Sequence, residues 1–372
     1  MSVNLTKANS KRVSAGHDLI SQGEEPLNFY ILRRGKVEVL RHAEVINTVS
    51  DSDYPLGCIG VIMGQPRSAT VRAKAQSVVL EIEESGDDVY EWLINEAKYL
   101  VTVLKHVSSM INSLNEENKA NFEGYRDLRS YFKPFVKPAN RIVSEINVDP
   151  PRPLGQLLEA RNSIVGSTSK TNKAQVQIDM SDDLKHRFDR GEVICEEGDT
   201  GNELYVLLKG ELQVLKESQM VARLDKPGLI FGEMATLMDG HRTATVKADT
   251  DVEIAVIPID SLESFLSDKT RVAQKISDMM FDRFRKAQKL NHDLETFQEV
   301  ILKIFQTRDL LDDLRNAVQS LVDEAEGVDP NLQDQVDALK DWLSQDIEAT
   351  GDFEFTRRAS NETDDKFYET IN

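Results

Sequence analysis

Cysteine and clustered histidine are scarce in this sequence. The 372 residues include two cysteines, Cys58 and Cys195, far apart and without the spacing of a zinc site or a redox pair. The six histidines are scattered, and no Ser-His-Asp or Walker arrangement occurs. These absences predict no disulfide framework, no metal site, no cofactor and no catalytic residues, and they favour a protein that is not an enzyme.

Long apolar runs are also lacking. No stretch of 18 or more apolar residues occurs, and the segment from Met1 to Lys7 has none of the hydrophobic character of a signal peptide. We therefore expect a cytoplasmic protein without membrane contact.

Positive charge is in deficit. The chain has 45 Lys and Arg against 64 Asp and Glu, a net charge of −19, and residues 291–372 alone hold 21 acidic and 7 basic side chains. Nucleic-acid affinity depends on Lys and Arg that displace counterions from phosphates. The composition therefore predicts no nucleic-acid partner.

The chain contains an internal repeat with an offset of 175 residues. Tyr30 recurs as Tyr205 and Arg67 as Arg242, and the register has no gap from residue 16 to residue 74. Four glycines follow the same offset: Gly16, Gly23, Gly35 and Gly57 recur as Gly191, Gly198, Gly210 and Gly232. So many matches at one offset predict two copies of one domain.

Short strand-like segments separated by glycine turns fill each copy and favour a β roll or barrel. A helical pattern follows each copy, from Val89 to about Leu114 and from Ser261 to about Leu290. A further helical region extends to about Ala349, with a break at Gly327–Pro330. The predicted fold class is α+β: two jelly-roll-like β-roll domains with flanking helices, and a C-terminal helical region.

These patterns divide the chain into five segments. They are the first β-roll domain (1–115), a helical or flexible linker (116–180), the second β-roll domain (181–290), an acidic helical output region (291–349) and a flexible tail (350–372). The linker interpretation depends on Asp149–Pro153 and Gly166–Asn172, whose compositions disfavour helix and strand. The tail is polar and has few aliphatic residues.

Residues 228–246 carry the most specific motif in the chain. Gly232 followed by Glu233 can form a glycine-led helical turn, in which backbone N–H groups approach an anion. Arg242, after a turn at Asp239-Gly240, can close on the same anion through a charge-assisted, bidentate contact. Glu233 can accept a hydrogen bond from a ribose hydroxyl, or pair with Arg242 in the empty site.

This motif resembles the phosphate-binding cassette of the cyclic-nucleotide-binding domain family, which includes the catabolite activator protein, regulatory subunits of cyclic-AMP-dependent kinase and nucleotide-gated channels. The resemblance implies that Glu233 binds the ribose 2′-hydroxyl and Arg242 the cyclic phosphate. It also implies that Met234 and Ala235 contribute backbone N–H groups and that Ala244 packs beneath the nucleotide. The remaining ligand-binding residues that it implies are Phe231, Gly232 and Thr243.

The identity of the nucleotide stays open between cyclic AMP and cyclic GMP, with cyclic AMP favoured. The hydroxyl of Thr243 could contact a guanine amino group, but domains of this kind with threonine there also accept cyclic AMP. A different interpretation of the motif makes Glu233 and Arg242 a surface salt bridge on a loop.

The first copy departs from the motif. Gly57 and Arg67 are retained and Ser68 follows the arginine, but Cys58 occupies the position of the ribose-binding glutamate. A thiol is a weak hydrogen-bond partner, and the loss of one buried polar contact costs about 1–3 kcal/mol. We therefore predict a degenerate first site at Gly57, Cys58, Arg67 and Ser68, in a domain that serves dimerisation or docking or binds a different ligand.

The resulting hypothesis is a cyclic-nucleotide sensor that signals through its helices to a protein partner or a homodimer interface. A transcription regulator of the catabolite-activator type is one alternative, although no basic helix-turn-helix follows residue 291. A regulatory or inhibitory subunit of a kinase or another enzyme is the second. Ser360, in Arg357-Arg358-Ala359-Ser360, matches the pattern that cyclic-nucleotide-dependent kinases phosphorylate.

Overall fold

A computed structural model describes residues 9–50, 53–124, 126–168, 180, 182–238, 240–306 and 308–345. The predicted tail, with Ser360, lies outside the described residues, as do Asp239 and residues 169–172 of the linker motif. The chain forms two compact units, one of residues 1–109 and 173–281 and the other of residues 110–172 and 282–372.

The first repeat is a β roll of eight strands. They are β1 Asn9–Val13, β2 Asp18–Ile20, β3 Phe29–Arg34, β4 Val37–Arg41, β5 Glu44–Val49, β6 Tyr54–Leu56, β7 Thr70–Ala73 and β8 Ser77–Ile82. Two antiparallel sheets, in the orders β1-β8-β3-β6 and β2-β7-β4-β5, face each other. Side chains of both sheets, such as Leu32 and Val37, fill the core between them.

The second repeat has the same topology. Its strands are β9 Lys185–Phe188, β10 Val193–Cys195, β11 Glu203–Lys209, β12 Leu212–Lys216, β13 Gln219–Leu224, β14 Ile230–Phe231, β15 Thr245–Ala248 and β16 Val252–Pro258. The sheet orders β14-β11-β16-β9 and β10-β15-β12-β13 repeat those of the first roll strand for strand. The predicted duplication is therefore confirmed in the topology.

Each roll carries one short internal helix and two helices after its last strand. These are α1 Cys58–Met63, α2 Gly86–Asn95 and α3 Ala97–Gly124 in the first repeat, and α6 Glu233–Leu237, α7 Leu262–Asp268 and α8 Thr270–Gln306 in the second. Both continuous helices predicted from periodicity are wrong in detail, since each has a break, at Glu96 and at Lys269. At the first break the Asn95 amide donates to the carbonyl oxygen of Glu91 and competes with the backbone.

The predicted linker is largely folded. It contributes α4 Arg126–Ile146 and α5 Leu154–Thr168, which share one core with α9 Arg308–Ala325 and α10 Gln333–Ser344. The rings of Phe135 and Trp342 lie 4.1 Å apart within this core. The helical alternative for this linker therefore agrees with the structure, with Pro134 and Pro138 accommodated inside α4. Residues 149–153 lie between the two helices, as their composition predicts, but residues 166–168 of the second motif continue α5. The predicted break at Gly327 is confirmed, since α9 ends at Ala325.

No helix among the described residues is long and apolar enough to cross a membrane.

The hairpins β4–β5 and β12–β13 close through two consecutive residues of positive φ. The φ angles are 50° and 68° at His42 and Ala43, and again 50° and 68° at Glu217 and Ser218. Such pairs form the two-residue turn that joins twisted strands, for which Asn-Gly is preferred. None of the four residues is glycine or asparagine, so both turns hold side chains in a conformation that costs about 1 kcal/mol a residue.

We expect Ala43→Gly and Ser218→Gly to stabilise the protein by about 0.5–1 kcal/mol each, because glycine adopts positive φ without a Cβ clash. Differential scanning calorimetry would measure the rise in unfolding temperature. Ala120→Gly, at an exposed position of α3, is the control and should destabilise by about 1 kcal/mol. A fall in stability at both turns would contradict the strain.

Candidate ligand-binding sites

A buried polar cluster surrounds Arg242, which is 5% exposed. Its Nη1 donates to the carbonyl oxygen of Gly232 at 3.0 Å, and its Nη2 donates to the carbonyl oxygen of Glu203 at 2.8 Å. Nη2 also lies 3.3 Å from the Glu203 carboxylate and 3.2 Å from the Tyr205 hydroxyl. The guanidinium therefore joins the turn before α6 to strand β11 and is held in one orientation.

Gly232 permits this close approach. Its φ of 77° lies in the left-handed region, and a Cβ there would stand 2.6 Å from Nη1 of Arg242 and 2.9 Å from Cδ2 of Tyr205. Any other residue would displace the guanidinium or the ring. The glycine thus lets the backbone approach the guanidinium closely, and its role beside a bound anion stays a prediction.

Glu233 begins α6 and is 2% exposed. Ala235 is also buried, and Met234 is half-buried. Because Glu233 and Arg242 are both buried, a surface salt bridge on a loop does not describe them. The ion pair that the guanidinium makes at 3.3 Å is with Glu203.

An aromatic pair forms one wall of the cluster. The rings of Tyr205 and Phe231 stack with centroids 5.0 Å apart, and Cζ of Arg242 lies 4.9 Å from the Tyr205 centroid. Burial raises the pKa of Tyr205 to about 12, so its hydroxyl stays protonated at neutral pH. Phe231 thus acts by supporting the ring under the arginine.

Two predicted residues lie at the edge of this cluster. Thr243 is exposed and Ala244 is half-buried. The backbone at Arg242, directly before Thr243, is held by two hydrogen bonds. The N–H of Arg242 donates to the carbonyl oxygen of Asp199 at 2.7 Å, and the N–H of Gly198 donates to the carbonyl oxygen of Arg242 at 2.8 Å. The structure therefore brings together Phe231, Gly232, Glu233 and Arg242, and leaves the Thr243 side chain towards solvent.

Three residues of the site were missed from sequence. Glu203 and Tyr205 hold Arg242, and a Cβ at Gly201 would lie 2.5 Å from the Cβ of Ala235. Tyr205 carried a signal, because it recurs as Tyr30. Glu203 carried none, since the repeat places an asparagine there.

The first repeat has an equivalent cluster around Arg67, which is 6% exposed. We call the arginine, the two carbonyl oxygens that it binds and the left-handed glycine the cradle of each repeat. Its Nη1 donates to the carbonyl oxygen of Gly57 at 2.6 Å, and its Nη2 donates to the carbonyl oxygen of Asn28. Nη2 also lies 3.2 Å from Oδ1 of Asn28. Gly57 has a φ of 78°, and a Cβ there would stand 2.8 Å from Nη1.

Cys58 and Ser68 complete the predicted degenerate site. Cys58 is 2% exposed, and burial raises the pKa of its thiol to about 12, so the side chain is neutral at physiological pH. This also opposes a redox role, which needs a thiolate. Ser68 is exposed.

A cavity of about 310 Å³ opens beside the Arg67 guanidinium. Its walls combine apolar, acidic and amide side chains with the arginine: Leu19, Ile20, Glu24, Glu25, Leu27, Asn28, Tyr30 and Arg67. The first repeat, whose site was predicted to be degenerate, therefore has space for a ligand.

The two cradles differ in a pair of small residues. Where the second repeat has Gly201 against Ala235, the first has Pro26 against Gly60, and a Cβ at residue 60 would lie 3.5 Å from the Cβ of Pro26. In the second repeat the bulkier residue of the pair is Ala235, on α6, whereas in the first repeat it is Pro26, at the position of Gly201. The two rolls thus keep their folds with different packing beside the arginine.

The family model for the cyclic nucleotide-binding domain matches residues 10–87 and 185–269. A cAMP-dependent protein kinase regulatory subunit of Yarrowia lipolytica is 26% identical over 264 residues, which cover 70% of this chain and 55% of that protein. The mouse potassium/sodium hyperpolarization-activated cyclic nucleotide-gated channel 3 is 26% identical over 212 residues, 51% of this chain and 27% of the channel. The chain thus spans about half, or less, of these relatives.

Among solved structures, the regulatory domain of Toxoplasma gondii PKA with cAMP is 18% identical, with a TM-score of 0.23, over 73% of this chain and 86% of that one. The regulatory subunit of a cAMP-independent protein kinase A from Trypanosoma brucei is 17% identical, with a TM-score of 0.25, over 73% and 78%. The two regions matched by the family model coincide with the two β rolls. The chain thus carries two tandem β rolls, each of which matches the family model for the cyclic nucleotide-binding domain.

Proposed function

We propose that the second repeat binds a cyclic nucleotide, cyclic AMP in preference to cyclic GMP, and that the chain is a regulatory protein controlled by this ligand. The observation that carries the proposal is the buried pair of Arg242 and Glu233 beside the left-handed Gly232. The first repeat lacks the acidic member of the pair.

The guanidinium of Arg242 would bind the cyclic phosphate. A guanidinium has five N–H donors, more than its contacts with Gly232 and Glu203 use, so phosphate oxygens can be bound while the cradle persists. In a buried setting such charge-assisted bonds are stronger than in water. The Glu203 carboxylate keeps the arginine oriented before the ligand arrives.

The carboxylate of Glu233 would accept the ribose 2′-hydroxyl. A buried carboxylate whose ligand lacks that hydroxyl loses a hydrogen bond that water cannot replace. Glu233 therefore selects for a ribose ring, while Arg242 selects for the phosphate. The preference for cyclic AMP is supported by the relatives named for cAMP-dependent kinase.

The output would pass through helices α7 and α8, which follow directly from the last strand of the second roll. A ligand shifts an equilibrium only through its different affinities for two states. The nucleotide must therefore contact these helices, or the turn that supports them, in one state more than in the other. The receiver is a protein partner or a second copy of the chain.

We expect Arg242→Ala to weaken cyclic AMP binding by at least about 100-fold, because it removes a charged, bidentate contact. Arg67→Ala is the matched control in the other repeat and should leave the tight site nearly unchanged. Isothermal titration calorimetry of the full chain measures both. Two equivalent sites, each lost with its own arginine, would contradict a single competent pocket.

Glu233→Cys copies the first repeat into the second. We expect it to lower the affinity for cyclic AMP by about 10- to 100-fold and to change the affinity for 2′-deoxy cyclic AMP by less than about threefold. Titrations of both nucleotides with both proteins form a double-mutant cycle. Equal losses for the two nucleotides would show that Glu233 does not bind the ribose hydroxyl.

A second candidate function is that of a regulatory subunit of a protein kinase. The observation that favours it is the 26% identity with the Yarrowia lipolytica regulatory subunit across 70% of this chain. Under this function the protein partner is a kinase catalytic subunit, and the nucleotide weakens the complex.

This function predicts that the full chain binds a cyclic-AMP-dependent kinase catalytic subunit and that cyclic AMP lowers the affinity. Surface plasmon resonance with and without nucleotide measures the change. Arg242→Ala should bind the catalytic subunit normally but lose the effect of cyclic AMP. Binding that is absent, or equal in all conditions, would refute this partner while leaving nucleotide binding intact.

A further inference from the structure

The two buried arginines differ in the charge of their surroundings. Arg242 lies 3.3 Å from the carboxylate of Glu203. At the corresponding position the first repeat has Asn28, and the described residues that accept hydrogen bonds from Arg67 do so through the carbonyl oxygens of Gly57 and Asn28 and the Asn28 amide oxygen. All three acceptors of Arg67 are uncharged.

The second carboxylate of the motif is missing as well. Cys58 stands at the position of Glu233 and is neutral, because burial raises the pKa of its thiol to about 12. We call the three corresponding positions in each repeat its seat: Asn28, Cys58 and Arg67 in the first, and Glu203, Glu233 and Arg242 in the second. By formal charge, the first seat carries one positive charge and the second carries one negative charge. The first seat is therefore more positive by two charges.

A buried guanidinium with uncharged acceptors is costly. Desolvation lowers the pKa of Arg67, but a guanidinium remains charged at neutral pH. Buried charges are normally paired with an opposite charge or a ligand, because the loss of hydration is otherwise uncompensated. Arg67 borders the cavity of about 310 Å³, which offers room for such a ligand.

The acidic side chains around this cavity offset the charge of Arg67 only in part, because desolvation by burial lowers the pKa of the guanidinium more than the charge of Glu24 raises it. Glu24 and Glu25 are exposed at its wall, where solvent and salt screen their charge. Glu81 accepts hydrogen bonds from the Tyr30 hydroxyl at 2.8 Å and the Asn28 amide at 3.0 Å. It also lies 3.7 Å from Nζ of Lys11, which offsets its charge.

We propose that the cavity of the first repeat binds small organic phosphate monoesters, with Arg67 holding the phosphoryl group, and that it makes no use of a ribose 2′-hydroxyl. A phosphate monoester carries nearly two negative charges at neutral pH, whereas a cyclic phosphodiester carries one. The first seat lacks the two carboxylates of the second and is therefore more positive by two charges, which favours the dianion. The absence of a carboxylate at residue 58 removes the contact that would select for ribose.

The test titrates the full chain with adenosine 5′-monophosphate, its 2′-deoxy analogue and adenosine. We expect both monophosphates to bind with affinities within about threefold of each other and adenosine to bind at least about tenfold more weakly. Adenosine that binds as tightly as the monophosphates, or a tenfold preference for the ribose form, would overturn the proposal.

Asn28→Glu places in the first repeat the residue that the second repeat has at that position. It leaves Arg67 in place and should weaken binding of adenosine 5′-monophosphate by at least about tenfold, because it puts a carboxylate beside the guanidinium. Arg67→Gln keeps a donor for the carbonyl oxygens but removes the positive charge, so it should also weaken binding of adenosine 5′-monophosphate by at least about tenfold. Glu84→Gln, at an exposed position outside the cavity wall, is the control that should leave binding unchanged.

These variants leave the second repeat unchanged, so its cyclic AMP affinity is a check on folding and on the independent function of that site. No binding of adenosine 5′-monophosphate at millimolar concentration would refute the ligand class. Unchanged binding in a folded Asn28→Glu protein would refute the seat at Arg67.

Discussion

Each β roll depends on a guanidinium that is buried against two backbone carbonyl oxygens. In the second repeat Arg242 joins the carbonyl of Gly232 to that of Glu203, and in the first repeat Arg67 makes the equivalent contacts. A carbonyl without a donor in such a place would cost free energy. In each roll the arginine therefore ties the turn before the internal helix to the sheet, and the left-handed glycine lets the backbone approach the guanidinium.

The fold was largely predictable because the duplication is visible at glycines whose turns require a positive φ. Glycines of positive φ recur at one offset, and the strands that they separate recur with them. The helical linker was not predictable in the same way. Its apolar residues, such as Phe135, pack against residues about two hundred positions later, such as Trp342, and the local composition does not indicate that pairing.

The site was predictable where a charged residue follows a glycine motif, and not where a side chain from another strand supports it. Glu233 and Arg242 belong to one short segment, whereas Glu203 comes from β11 and meets the arginine only in the folded roll. The same long-range position is where the two repeats differ in charge, through Asn28. Repeats that share a fold can thus differ in the charge beside a buried arginine through a residue outside the glycine motif.

The small-residue pair beside each arginine makes the two rolls unequal in the substitutions that they tolerate. A side chain at residue 201 would meet Ala235 at 2.5 Å, while a methyl group at residue 60 would have ordinary contacts with Pro26. In the second roll a larger residue at position 201 therefore requires that Ala235 move or be replaced by glycine. In the first roll residue 60 can gain a methyl group without a change at residue 26.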